Sequence, residues 1–347
     1  MGVELSSNDV TTAFGALERG VHAALETYSN VHRGSGHHSM VSTYLFEQAR
    51  GIVLEHLGLS PARYVVIFGT PRTADMLSTR LEAGRYVTAS SRDIGLPLGV
   101  RALAVERSAL PNGPPILTGG GTARLVGPDW VMWAKAPDRF EAGTPAIINV
   151  IAFARALRLR RRFGEHAFQG TDAAQRTAAE ILRRDAFDQR SGRELLCELR
   201  ETLIGRGGLV PTVEGARPYV NLDNAASTPT FEPIWAAVCE TWRQPAHVQH
   251  AVIQEARAIV ADYVGAPPSE YDVIFTANTT EAINLVAEST GRAGEARHHS
   301  VVINTLLEHN SNELPWRGLP GVALIRFPVD DEGFLDLKAL EALLRAY

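Results

Sequence analysis

The chain holds only two lysines, Lys135 and Lys338, although Lys and Arg together number 34 in its 347 residues. Cysteine is as scarce, with Cys197 and Cys239 standing in unrelated apolar helical contexts. Two such cysteines give neither a metal-ligand spacing nor a disulfide framework, and they read as small core fillers. Long hydrophobic runs are missing too. The longest, residues 146–154, falls far short of the roughly 18 apolar residues a membrane span needs. The opening MGVELSSNDV has neither the basic nor the apolar region of a secretory leader. Gly2 and Ser6 fit the myristoylation pattern, which is short and undemanding. No basic run occurs, and a net charge of −5 gives nucleic acid no electrostatic case. These absences lead us to expect a cytoplasmic protein with neither nucleic acid nor membrane as partner.

What is present is apolar material for one large domain or two ordinary ones, at 45% hydrophobic residues. The stretch that organises the rest is residues 271–288, YDVIFTANTTEAINLVAE. Val273, Ile274 and Phe275 read as a buried strand, followed by a polar turn and an amphipathic helix carrying Ile283, Leu285 and Val286. The turn, Thr276 to Thr280, offers free backbone N–H groups and hydroxyls at a helix start. Such donors, together with the helix dipole, suit a phosphate. Ordinary helix capping by Asn and Thr explains the same residues.

Two further stretches change that balance. Residues 219–229 read YVNLDNAASTP, and residues 307–316 read LEHNSNELPW. In this order and spacing the three resemble the class V aminotransferase family of pyridoxal-phosphate (PLP) enzymes, most nearly its cysteine desulfurase and selenocysteine lyase branch. That branch has a YLDNAAT-like start, a strand followed by GTTEAIN, and EHHSN-x-x-PW. Asn310 stands here for the branch's second histidine. The resemblance implies an α/β fold, the three-layer α/β/α large domain of fold type I with a mostly parallel sheet. It also implies PLP as cofactor, an amino-acid substrate held as an aldimine, and loss of sulfur or selenium from that substrate, or transamination. A homodimer and a sulfur-acceptor protein are the partners it brings.

The chain also resembles itself. EQARGIVLEHLG at residues 47–58 aligns without gaps with QEARAIVADYVG at residues 254–265, and residues 66–73 fall on 273–280 at the same offset. We therefore expect a degenerate class V-like unit over residues 1–165, a helical and charged connector over 166–218, and the amino-terminal part of a second unit over 219–347. In the first unit a strand near residues 64–68 is soon followed by RYVTASSRDIGLPLGV, which resembles the family's Schiff-base segment SGHK and its loop. Asp93 stands where the lysine belongs, and much of the usual intervening domain is absent. Then come the glycine turn TGGGT at residues 118–122 and RFEAGTP at residues 139–145. In the family this arginine grips the substrate carboxylate, a task suited to a permanently charged fork. Arg139 inherits the role by position, with a structural ion pair as the plain alternative.

PLP chemistry needs a phosphate anchor, an aromatic stacked on the ring, an acid at the pyridine nitrogen and a lysine. By resemblance Asn278, Thr279 and Thr280 supply the anchor and His309 the stacking group. Asn224 faces the substrate, or else makes an Asx turn. The acid and the lysine are wanting. Lys135 lies in WAKAPDRF, Lys338 in a helix expected over 335–346, and neither follows an SGH-like turn. The family's pyridine-pairing aspartate and its mobile cysteine would fall after residue 347. His37 and His38 follow a family-like NVHRG loop, and His247 and His250 occupy its shortened counterpart. The pairs His37–His38 and His298–His299 lack a third metal ligand. Two functions are thus expected: a PLP enzyme of desulfurase or lyase type seen as an incomplete chain, or a non-catalytic scaffold or regulator of an active copy. A third arrangement, in which Arg139 and residues 119–122 complement the phosphate cup across the chain, is disfavoured by the missing central strands.

Overall fold

The computed structural model describes residues 12–32, 34–169, 174–182, 189–296 and 300–347. Gly2, Ser6, His298 and His299 lie outside them. In chain order the elements are α1 (Ala13–Glu26), α2 (His37–Leu57), β1 (Tyr64–Gly69), α3 (Pro71–Ser78), β2 (Tyr86–Ser90) and β3 (Arg101–Glu106). There follow β4 (Ala123–Val126), β5 (Val131–Trp133), α4 (Ile147–Phe163), α5 (Ala178–Leu182), α6 (Gly192–Glu201), β6 (Leu209–Thr212) and β7 (Gly215–Pro218). The last are α7 (Glu232–Trp242), α8 (Ala246–Tyr263), α9 (Thr279–Ala296), β8 (Ser300–Thr305), α10 (Asn310–Glu313), β9 (Val322–Phe327) and α11 (Leu337–Ala346). They form two compact units built from interleaved segments: Met1–Pro71, Tyr86–Glu106 and Ala146–Phe275 in the first; Arg72–Arg85, Arg107–Pro145 and Thr276–Tyr347 in the second.

In the first unit, α1 begins where the Thr12 hydroxyl accepts the Gly15 N–H at 3.1 Å, satisfying one of the orphan donors of a helix start. α2 ends at Gly58, whose φ of +67° suits a residue without a Cβ. Leu17, Val21 and Leu25 recur along one face of α1 and are buried with Phe46 and Val53 of α2 and Phe153 and Leu157 of α4. Val66, Phe68, Ala102 and Ala104 join that cluster from one face of a sheet. The sheet has three strands in the order β1–β3–β2, and β3 is antiparallel to both neighbours. This corrects the expectation of a mostly parallel sheet. A parallel pair needs a crossover of a dozen or more residues. Here residues 91–100 join β2 directly to β3, so the strand returns alongside its predecessor.

Further along the same unit, Trp235 and Trp242 of α7 meet edge to face at 5.4 Å. The Arg243 guanidinium holds the buried Glu18 carboxylate of α1 through two hydrogen bonds, 2.8 and 2.7 Å. The strand expected near residues 272–277 does not form: they are irregular, and Ile274 and Phe275 are exposed. A strand persists only where a neighbour takes up its backbone groups, and no described strand pairs with this one.

The second unit carries the hairpin β4–β5, helix α9, and β8 paired with β9 in parallel, Ser300 opposite Val322 through Thr305 opposite Phe327. This is the one parallel pair among the described strands. α11 starts at Asp336, whose carboxylate accepts the N–H groups of Lys338 and Ala339 at 3.0 and 3.1 Å. Among the described residues no helix is long and apolar enough to cross a membrane.

Candidate functional site

The candidate site lies in the second unit, where α9 begins. Asn278 precedes the helix, and its Oδ1 accepts the Glu281 N–H at 2.9 Å. The Glu281 carboxylate in turn accepts the Ala277 N–H at 2.9 Å. Asn278 thus caps the helix, and the acidic side chain of its first turn reaches back past the cap to the residue before it. The Asn278 amide then donates to the carbonyls of Ala142 and Thr144, 3.0 and 2.9 Å away. All the bonding capacity of that side chain except a lone pair is thereby used inside the protein. The close approach depends on Gly143, φ +79°, where an added Cβ would stand 2.5 Å from Asn278 Oδ1.

The glycine turn packs one residue further on. Gly119 has φ +149°, and a Cβ there would meet the Thr280 methyl at 2.4 Å. The buried Thr280 shares a hydrogen bond of 2.7 Å with Ser311, whose hydroxyl oxygen accepts the Gly120 N–H at 3.3 Å. Asn284, one turn along α9, donates to the carbonyls of Thr118 and Thr280, both at 2.8 Å, and accepts the Thr118 N–H at 3.2 Å. So residues 118–122 and 142–144 reach the start of α9: of the arrangement disfavoured from the sequence, the glycine turn makes its contact and Arg139 does not. Glycines rather than strands make the contact, so missing central strands do not forbid it.

His309 is exposed, and its Nδ1 accepts the Ser311 N–H at 3.2 Å, capping α10. Beside it, the Glu308 carboxylate accepts from Asn312 at 2.9 Å and from the N–H and hydroxyl of Thr305 at 3.2 and 3.1 Å. The Asn312 bond, with help from Thr305 and against burial, holds that carboxyl below its ordinary range. Trp316 donates to Asn312 at 3.2 Å. The buried Glu313 pairs with Arg317 and Arg326, which reach the carbonyls of Gly127 and Pro128. The sequence EH-x-SN-x-x-PW is thus a packed local network. Ser311, Asn284 and Gly143 were not singled out from the sequence; the serine inside that motif was the available signal.

Arg139 lies in this unit but turns aside. Its Nη1 donates to the Gly113 carbonyl at 3.3 Å, and its guanidinium stacks over Phe140 at 5.3 Å. Lys135 and Lys338 are exposed. Two residues belong to the first unit. Asp93 accepts the Ser90 N–H at 3.2 Å and closes a capping box on a short turn of helix, Ser91–Ile94. Asn224 is exposed, and its carbonyl accepts the Thr228 hydroxyl at 2.7 Å; the Asx turn here is made by Asn221, which accepts the Asp223 N–H at 2.9 Å.

A phosphate needs free donors. At the start of α9 the Asn278 amide and the Thr280 hydroxyl are already engaged, and the glycine turn lies against Thr280. In this conformation the residues present do not fit PLP. Among the described residues no group of His, Cys, Asp and Glu could hold a metal ion.

The chain is similar in part to several cysteine desulfurases. A cysteine desulfurase from Dickeya dadantii is 41% identical over 97 residues, 27% of this chain and 23% of its own length. Probable cysteine desulfurases from Mycolicibacterium paratuberculosis and Streptomyces coelicolor are 35% and 34% identical, over 39% and 38% of this chain and 22% and 35% of their own lengths. The matches therefore span about a third or less of these relatives. Among solved structures, the apo cysteine desulfurase from Thermococcus onnurineus NA1 aligns with a TM-score of 0.35 and 17% identity, over 51% of this chain and 73% of that one. The family model for aminotransferase class-V matches residues 86–188 and 220–347. Matched over more than half of its residues, the chain belongs to the class V aminotransferase family.

Proposed function

We propose that the chain is of the cysteine desulfurase or selenocysteine lyase type, and that residues 1–347 carry only part of the machinery for releasing sulfur or selenium from an amino acid. Members of the family use PLP. What carries the reading is the presence in one chain of the LDNAAST, ANTTEAIN and EHNSNELPW stretches together with the family match over 220–347. In a completed site Asn278, Thr279 and Thr280 would serve the phosphate, His309 the ring, and Asn224 and Arg139 the substrate side. The lysine must come from elsewhere, since Lys135 and Lys338 are exposed and follow no SGH-like turn. A homodimer and a sulfur-acceptor protein belong to the same reading.

The test is a fusion. A class V segment bearing the SGHK lysine is joined after Tyr347, and PLP absorbance and cysteine-dependent sulfide release are measured beside the 347-residue chain. The fusion is expected to show both signals and the shorter chain neither. A folded fusion lacking both would overturn the enzyme reading. That outcome would leave the second reading, a non-catalytic scaffold or regulator of an active copy. One observation favours that alternative: the glycine turn and the 142–144 loop already fill the start of α9, where the cofactor phosphate would be bound.

A further inference from the structure

The last turns of α4 gather Arg155, Arg158, Arg160, Arg161 and Arg162, while Ala156, Leu157 and Leu159 between them are buried. Arg155, Arg158 and Arg162 are exposed. Spaced three and four residues apart, they share an arc of roughly 60° over a length of about 10 Å. The other two have partners: Arg161 pairs with Glu55 of α2, and Arg160 donates to the Glu165 carbonyl at 3.0 Å. Within the stripe, Arg155 donates to the Ala16 carbonyl of α1 at 3.0 Å and lies across Gly20, where an added Cβ would collide with its guanidinium. Arg162 stacks over Phe163 at 5.3 Å. Arg158 makes neither a hydrogen bond nor an ion pair. Among the described residues no carboxylate pairs with any of these three. α1 presents the exposed Arg19 here instead, and burial followed by the Arg19 charge pulls the Arg155 guanidinium below its ordinary range. At the same end of α4, burial and then Arg160 and Arg161 lower His56 as well.

A chain of net charge −5 has carboxylates to spare, and arginines elsewhere in the first unit find them: Arg243 on Glu18, Arg176 on Glu240, Arg206 on Glu201. Gathering like charges costs free energy, and nothing described within the unit offsets it here. We propose that the stripe of Arg155, Arg158 and Arg162 is a docking surface for an acidic helix of a partner protein, with carboxylates four and three residues apart. Laid antiparallel, such a helix repeats the spacing of the stripe and sets one carboxylate against each guanidinium fork, which binds it through two parallel N–H groups. Nucleic acid and anionic bilayers are poorer matches. Their charge extends well beyond this footprint, and stable duplex binding takes roughly six or more phosphate contacts against three cations here. A second copy of the chain is a poorer occupant too. Its α6 has Glu194, Glu198 and Glu201 at the required spacing, but pairs them with Arg190 and Arg206.

The test needs neither PLP nor activity, and the proposal stands apart from the functional reading. A fluorescent alanine-based helical peptide with Glu at positions i, i+4 and i+7 is titrated into the full 347-residue chain. Its control is an isomer of the same composition whose Glu residues circle the helix. Saturable binding is expected, at least ~10-fold tighter for the striped peptide and weakening as salt rises. Arg158→Glu should weaken it by a further ~10-fold or more, and Lys at the middle Glu of the peptide should restore it. Because Arg158 is exposed and makes no bond, this variant should keep the wild-type urea midpoint. Arg217→Glu, an equal change of net charge on β7, should leave binding within ~2-fold. Equal binding of the two peptides, indifference to Arg158→Glu, or an equal loss with Arg217→Glu would overturn the proposal. So would tighter binding of a thymidine oligonucleotide or of phosphatidylserine vesicles that Arg158→Glu abolishes, or self-association lost in the same variant, because the occupant would then be of another kind.

Discussion

Helix α2 with β1, and helix α8 with residues 273–275, share a pattern and differ in fate. EQARGIVLEHLG and QEARAIVADYVG carry apolar residues at the same positions, and each is followed by a Val-Ile-Phe triplet. The first copy buries its triplet in a strand between Tyr64 and Gly69, while Phe275 of the second is 52% exposed. The lesson is that an apolar stripe states a demand for cover and does not specify what meets it. α2 has α4 and a three-stranded sheet; α8 has only the short α5 and part of α7.

The contrast breaks most visibly at its best-covered residue. Phe46 meets Phe68 at 5.4 Å and lies under the Arg50 guanidinium at 5.0 Å. Phe46→Ala leaves a cavity that a packed core closes only in part, so urea unfolding should show a loss of about 3–5 kcal/mol. A loss below ~1 kcal/mol would mean that α2 is no better covered than α8, and the comparison would collapse.

Acid sharpens the same contrast through a charge that the second copy lacks. Burial pushes the Glu47 carboxyl up, but the His32 hydrogen bond and the charge and hydrogen bond of Arg50 outweigh it and hold it at about 2, against an ordinary 4.5. A carboxyl depressed in the folded state stabilises above its unfolded pKa, and that contribution is lost as pH falls through the folded one. Stability should therefore decline between 4.5 and about 2, and Glu47→Gln should flatten part of that decline. Glu47 is about half exposed, so the effect is modest. Gln254, its counterpart in α8, has no such charge. An identical acid profile in wild type and Glu47→Gln would remove this distinction between the copies.

Helix positions were legible because they rest on local periodicity and punctuation. The helix expected over 335–346 forms as Leu337–Ala346. The strand expected near 64–68 forms as Tyr64–Gly69. Strand direction was not legible. Strands alternating with helices suggest a parallel sheet, as the family resemblance does, whereas the short path over residues 91–100 dictates an antiparallel return. At the site, the sequence marked Asn278 and Thr280 as donors but could not show what they face. Their partners, Ala142, Thr144 and Ser311, come from segments 136, 134 and 31 residues away. The same donors suit a phosphate or a protein carbonyl equally well; only the packing of two glycines decides between them.

The smallest effect is expected at the exposed counterpart of Phe46. Ile253 occupies that position in the repeat but keeps 42% of its surface in solvent. Truncating it removes little buried area, so Ile253→Ala should cost less than ~1 kcal/mol in urea unfolding. A penalty of about 3 kcal/mol would show the position already covered in solution, and α8 would then resemble α2 after all. The ratio of the Phe46 and Ile253 penalties therefore measures how far the two copies differ in cover.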